Sequence, residues 1–158
     1  MFFVILQLVM NELNLPTYDV KLRGTRQHPE ILDFLRRRWV SLTPEEWVRQ
    51  HFTHWLIEQK GYPKGLVGNE VALHSGDKTL RCDSIVYDQQ GHPQMIIEYK
   101  SPAVAITQRV FHQISAYNLL LHVDYLVVSN GVQHYCCRMD YERQSYTFLE
   151  TIPDYTAL

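Results

Sequence analysis

Cysteine is scarce in this chain, and what there is does not suggest pairing. The 158 residues contain three, Cys82, Cys136 and Cys137, two of them adjacent. An odd number with two neighbours is not a disulfide framework, so the sequence reads as that of a protein of a reducing compartment, the cytoplasm. Excess positive charge is also missing. Fifteen Lys and Arg against seventeen Asp and Glu leave a net charge of −2. No basic tail or stripe announces nucleic acid, and only local patches such as Arg36, Arg37 and Arg38 offer positive surface. No apolar run is long enough to cross a bilayer. The stretch MFFVILQLVM covers residues 1 to 10, about half of what a transmembrane helix needs. It has neither the basic lead nor the small-residue cleavage site of a signal peptide. It predicts an extra strand or a start at Met10, and no membrane partner. Repeats and low-complexity tracts are absent too, which leaves one domain with a core of its own.

What is present divides into an arm (1–42), a core (43–128) and a trailing hairpin (129–158). In the arm, YDVKLR predicts a short strand, and PEILDFLRRRWV one helical turn followed by extended chain. The clearest helix is TPEEWVRQHFTHWLIEQKG. Thr43 is a natural N-cap, Pro44 suits the first helical position, and Glu46 three residues after Thr43 completes a capping box. Trp47, Val48, Phe52, Trp55 and Leu56 form one apolar stripe, and Gly61 and Pro63 end the helix. Three strand-like runs follow, LVGNEVAL, TLRCDSIVYD and PQMIIEYK. A second helix lies within ITQRVFHQISAYNLLLH, and then come VDYLVVSN, GVQHYCCRMD and SYTFLET. This order predicts an α/β protein, a mixed sheet with helices against it.

The stretch RCDSIVYDQQGHPQMIIEYKSP puts Asp83, Glu98 and Lys100 among apolar neighbours. DQQGHP is a turn, with Gly91 available for positive φ and Pro93 closing it. A symmetric hairpin then has Asp83 facing Glu98 and Asp88 facing Pro93, with opposed Cβ atoms about 5 Å apart. Lys100, two residues beyond Glu98, shares that face, as do Ile85, Tyr87 and Ile96. Two opposed carboxylates repel. A divalent cation between them turns repulsion into coordination by hard oxygen ligands. A lysine alongside can orient a water or stabilise charge on a phosphate oxygen, so the group suggests metal-assisted phosphodiester hydrolysis. The plainer reading is a solvated Glu–Lys edge pair and an aspartate that merely precedes a turn. Against it, PQMIIEYK is apolar on both faces before its charges arrive, which suits a central strand.

An aspartate, a gap, and then Glu-x-Lys at the end of an apolar strand resembles the PD-(D/E)XK nuclease superfamily. The ordered set LTPEEWVRQHF, CDSIVYD, IIEYKSP, HQISAY and SNGVQHYCC is more closely similar to the N-terminal nuclease domain of type I restriction enzyme R subunits, in small stand-alone versions. The likeness spans roughly residues 13 to 155. It implies a restriction-endonuclease-like fold and Mg²⁺-dependent DNA cleavage, with Mn²⁺ able to substitute. On this resemblance Asp83 and Glu98 are the metal-binding acids, Lys100 is the motif lysine, and Gln113 and Tyr117 are the Gln-x-x-x-Tyr element that follows it. Cys82 replaces the proline that commonly precedes the aspartate. DNA is the implied partner, together with a motor or specificity protein.

Other residues carry two readings each. Glu46 can supply a first-helix carboxylate to the metal, or serve only its capping box. Glu70 is a weaker candidate of the same kind. Arg49 and Gln50 share the polar helix face with Glu46, where phosphate contact competes with simple solvation. Gln113 and Tyr117, one turn apart, touch each other and either support the site or pack on the sheet. His134, Cys136 and Cys137 do not make a zinc site, because adjacent strand residues point to opposite faces and four ligands are not evident. Three functions remain in view: a metal-dependent DNA endonuclease, a nucleic-acid-binding module of the same fold with little activity alone, and a protein-interaction domain.

Overall fold

The computed structural model describes residues 12–158, and of residues 116, 117, 119 and 120 only the helix that contains them. The apolar N-terminal decapeptide and the Tyr117 side chain therefore lie outside the described residues. The arm forms an antiparallel three-stranded sheet of β1 (Leu22–Gly24), β2 (Pro29–Asp33) and β3 (Arg38–Ser41). The expected helical turn here is instead the tight turn of the β2–β3 hairpin. Asp33 makes that turn, because its Oδ1 accepts from the backbone N–H groups of Leu35 (2.9 Å) and Arg36 (2.8 Å). A short acidic side chain that satisfies the two following amides favours a turn over a helix.

Helix α1 (Pro44–Gln59) begins as its sequence dictates, with Thr43 Oγ1 accepting from Glu46 N at 3.1 Å. The reciprocal half of the capping box does not form. The Glu46 carboxylate accepts from Arg49 Nη1 (3.0 Å) and Gln50 Nε2 (2.8 Å). Gly61, at φ +72, turns the chain out of the helix. The polar face expected to be solvated is covered. Arg49 is 4% and Gln50 0% exposed, because the arm packs on that side. Ile31 and Leu42 bury Trp47 there, and Phe34 N donates to Gln50 Oε1 at 3.4 Å.

The main sheet has six strands in the order β4 (Val67–Ser75), β5 (Lys78–Tyr87), β6 (Pro93–Tyr99), β7 (Tyr125–Ser129), β8 (His134–Asp140) and β9 (Ser145–Leu149). Helix α2 (Gln108–Leu121) connects β6 to β7, the one parallel pair of that sheet among the described residues; a parallel pair cannot be closed by a tight turn. The trailing hairpin continues the sheet as β8 and β9. Each face has its own core. Val48, Phe52 and Leu56 of α1 pack on Val86, Met95, Ile97, Tyr99 and Val127. Val110 and Ile114 of α2 pack on Cys82, Ile96, Leu126 and Val128. Cys136 belongs to the first core and Cys137 to the second, so the adjacent cysteines do point to opposite faces. Among the described residues no helix is long and apolar enough to cross a membrane.

Candidate active site

The β5–β6 register places the charged residues. Ser84 pairs with Ile97, Ile85 with Ile96 and Val86 with Met95, which is the alignment that sets Asp83 against Glu98. The symmetry fails at the turn end. A bulge at Val86/Tyr87 puts Tyr87, not Asp88, opposite Pro93. Asp88 instead caps the turn, its Oδ1 accepting from Gln90 N and His92 N at 2.8 Å each, while Gly91 takes φ +83. A bulge displaces only the residues on its own side, so the far end of the hairpin keeps the expected alignment.

Side-chain alternation along β5 also departs from the expected pattern, and it does so at Asp83. Cys82 belongs to the core under α2. Ser84, two residues on, bonds to Tyr99 of the core under α1. In a regular strand both would lie on one face. The change coincides with Glu70 on the neighbouring strand, which has φ +52. The β4–β5 ladder runs from Asn69–Ser84 to Val71–Cys82 and skips Glu70 and Asp83 between them. A non-glycine residue at positive φ breaks the pleat. Asp83 is thereby turned toward the end of β6, where its Oδ2 accepts from Tyr99 N at 2.9 Å. Beyond Tyr99 the chain follows β7, with Lys100 N donating to Ser129 O at 2.9 Å.

Asp83, Glu98 and Lys100 meet at this point. Lys100 Nζ lies 3.3 Å from Glu98 Oε1, and the side chains of Asp83, Glu98 and Lys100 are all about a quarter exposed, at 27%, 23% and 27%. Burial first, and then the neighbouring Asp83 charge, raise the Glu98 pKa above the usual range, with Lys100 opposing. The Asp83 part of that shift is like-charge repulsion, which a cation between the two carboxylates would relieve. Among the described residues Asp83 Oδ1 has no backbone partner, and Lys100 engages one Glu98 oxygen. Two carboxylates with water completing the shell suit Mg²⁺, which retains several waters. Among the described residues no group of three or more His, Cys, Asp or Glu side chains is placed to hold one metal ion.

Glu46 is not brought to this pair. Its oxygens are engaged by Arg49 and Gln50, with Arg36 Nη2 at 3.7 Å. Burial raises its pKa despite those partners. Arg49 stands between Glu46 and the site. Nη1 binds Glu46, and Nη2 lies 2.6 Å from Glu70 Oε1 and 3.5 Å from Asp83 Oδ1. Burial opposes its charge, but Glu46, Asp83 and Glu70 outweigh burial and raise its pKa. Gln50 reaches Glu46 and the arm rather than the site. Gln113 is exposed on α2, whose Val110 and Ile114 face the sheet. No hydrogen bond joins Gln113 to Asp83, Glu98 or Lys100 among the described residues.

Sequence reasoning missed a buried chain of hydrogen bonds behind the site. Tyr99 OH donates to Ser84 Oγ (3.0 Å), Ser84 to Asn69 Oδ1 (2.6 Å), and Asn69 Nδ2 to Asp33 Oδ2 (3.2 Å). Arg36 Nε closes it at 2.6 Å from Asp33 Oδ2. Burial works against the Asp33 charge, but these partners, Arg36 foremost, hold its pKa below the usual range. The available signal was polar Asn69 and Ser84 inside otherwise apolar strand runs, where a buried polar group needs a partner.

Comparison with known proteins places the chain in a family. No curated protein matches the chain. A solved structure similar to it is a fragment described as an HsdR subunit of a type I restriction enzyme from Vibrio vulnificus YJ016, with 15% identity and a TM-score of 0.49. The match covers 69% of this chain and 23% of that one, so the chain spans about a quarter of that relative's length. Residues 44–153 match the family described as type I restriction enzyme R protein N terminus (HSDR_N). That span runs from the first residue of α1 past β9 and contains Asp83, Glu98 and Lys100. The chain belongs to the type I restriction enzyme R protein N-terminus family.

Proposed function

We propose that the chain is a metal-dependent deoxyribonuclease domain of a restriction system, with Asp83, Glu98 and Lys100 as its catalytic residues. The observation that carries this reading is their convergence where β5 and β6 part, with two carboxylates and one ammonium reachable from solvent. Family membership supplies the restriction context. The reaction is phosphodiester hydrolysis. A water oxygen forms a bond to phosphorus, the bond from phosphorus to the leaving sugar oxygen breaks, and the water's protons pass to solvent and to that oxygen. Asp83 Oδ1 and the Glu98 oxygen not engaged by Lys100 would hold Mg²⁺ or Mn²⁺. The bound ion would supply Lewis-acid polarisation and a more acidic water. Lys100 Nζ, steadied by Glu98, orients the attacking water or takes up charge on a phosphate oxygen, a preorganised electrostatic role. Tyr99 N fixes the Asp83 carboxylate in place. The open, partly exposed setting suits a polymer backbone. DNA as substrate, a motor or specificity protein as partner, and a cytoplasmic setting go with this reading.

Plasmid nicking in Mg²⁺ or Mn²⁺ against chelator tests it. The expected result is metal-dependent conversion of supercoiled to open circles, lost in Asp83→Ala. Metal-dependent cutting that survives Asp83→Ala would overturn the assignment.

A further inference from the structure

Among the described residues Arg49 is the one Lys or Arg that is buried, with 5% of its side chain exposed. Its three acidic partners are held unequally, at 2.6 Å for Glu70, 3.0 Å for Glu46 and 3.5 Å for Asp83. The weakest contact is made to Asp83 Oδ1, the oxygen left free when Tyr99 N takes Oδ2. Two further observations set this arginine apart from an ordinary structural ion pair. Its Nε is buried with no hydrogen-bond partner among the described residues, and an unpaired buried donor favours reorientation. Its strongest partner, Glu70, has the left-handed backbone that removes it from the β4–β5 ladder. Backbone strain of that kind persists where the surroundings demand it and clusters at functional sites.

We infer that Arg49 is an internal counter-ion that competes with the divalent ion for Asp83 Oδ1, with Glu70 and Glu46 as the partners that retain it when Asp83 is given over to the metal. The inference rests on the metal-site reading above. A guanidinium and a divalent cation at one carboxylate oxygen repel each other, so one must yield. The contact at 3.5 Å is the one most cheaply released, while the shorter pairs keep the buried charge compensated. Arg49 is thus a positioning residue. It neutralises the acids around the site in the metal-free protein and sets how much ion is needed to load it. Arg81, a mostly exposed side chain, engages the other Glu70 oxygen, with its Nε 2.9 Å from Oε2.

Calorimetric titration of Mn²⁺ into the full chain tests the competition without reference to activity. The set is wild type, Arg49→Lys, Glu70→Gln and Asp83→Ala, each checked for folding by circular dichroism. An ammonium keeps one charge beside Glu46 but cannot bridge three acids as a guanidinium fork does. Arg49→Lys should therefore bind Mn²⁺ about fivefold more tightly. Glu70→Gln removes the favoured partner and leaves Arg49 with Asp83, so it should bind about threefold more weakly. Should Arg49→Lys fail to fold, the Glu70→Gln result decides alone. Equal or weaker binding by folded Arg49→Lys, or unchanged binding by Glu70→Gln, overturns the inference. If wild type binds, Asp83→Ala does not, and both of the other variants match wild type, the metal site stands and the competition falls. If no variant binds Mn²⁺, both fall.

Discussion

Under α1 the six-stranded sheet presents Asn69, Ser84 and Tyr99, joined to one another and to Asp33 of the arm by hydrogen bonds, with Arg49 beside them. Under α2 it presents Cys82, Ile96, Leu126 and Val128, and Val110 and Ile114 rest on them by apolar contact. Among the described residues the polar anchor of α2 is Asn118, near its C-terminal end, whose amide reaches Tyr141 OH and the Val123 backbone. Apolar contact is non-directional and fixes a helix over a sheet without fixing any one side chain. A satisfied buried network is directional and sets individual groups. Asp83 lies at the point where β5 changes from one face to the other. It is touched by Arg49 of α1, and its carboxylate accepts from the backbone N–H of Tyr99, whose side chain belongs to the core under α1. The polar face therefore acts on the site through Asp83, and the apolar face supports the sheet that carries it.

This comparison can be broken at either face. The largest expected effect is at Asp33, which has no exposed surface and accepts from Arg36 and Asn69. Asp33→Asn leaves Arg36 with only its longer 3.7 Å contact to Glu46 and should cost about 3 kcal/mol at neutral pH. The folded-state pKa of Asp33 is lowered, so its contribution is fully present above the ordinary aspartate range and fades as pH falls through the folded value. Urea denaturation at pH 7 should show the full difference between wild type and variant, and a series toward acid should show the gap closing. The same variant should weaken Mn²⁺ binding, because the chain from Asp33 ends at Tyr99, whose N–H holds Asp83. On the other face, Ile114→Ala removes a side chain that is 1% exposed and should cost about 3 kcal/mol. While the variant remains folded, its Mn²⁺ affinity should equal that of wild type. If Ile114→Ala altered metal affinity and Asp33→Asn did not, the division of labour between the faces would be wrong.

Much of the core was legible because periodicity and turn chemistry act locally. Thr43, Pro44 and Gly61 bound α1 within a residue or two of where the sequence places its ends, and the DQQGHP turn aligns Asp83 with Glu98 despite a bulge. The arm was misread because β2 and β3 are held by pairing with each other and by the Asp33 turn, neither of which leaves a period in a short segment. The polar face of α1 was misjudged for a related reason. Whether Arg49 and Gln50 meet solvent depends on where the arm lies, which no local pattern records. The break in alternation at Asp83 was hidden as well, because nothing in the string NEVAL announces that Glu70 takes a left-handed backbone.

The most direct test of the account compares DNA cleavage with DNA affinity in Lys100→Ala. Single-turnover cleavage of labelled duplex in Mg²⁺, with the protein in excess, gives the rate. A binding titration in chelator gives the affinity. If Lys100 acts on the reacting phosphate, the rate should fall by about 10²-fold or more. Affinity should change by less than about threefold, since one exposed phosphate contact is a small part of a salt-dependent total. An unchanged rate, or a fall in rate no larger than the fall in affinity, would contradict the catalytic assignment of Lys100 and favour a domain that binds DNA without cutting it.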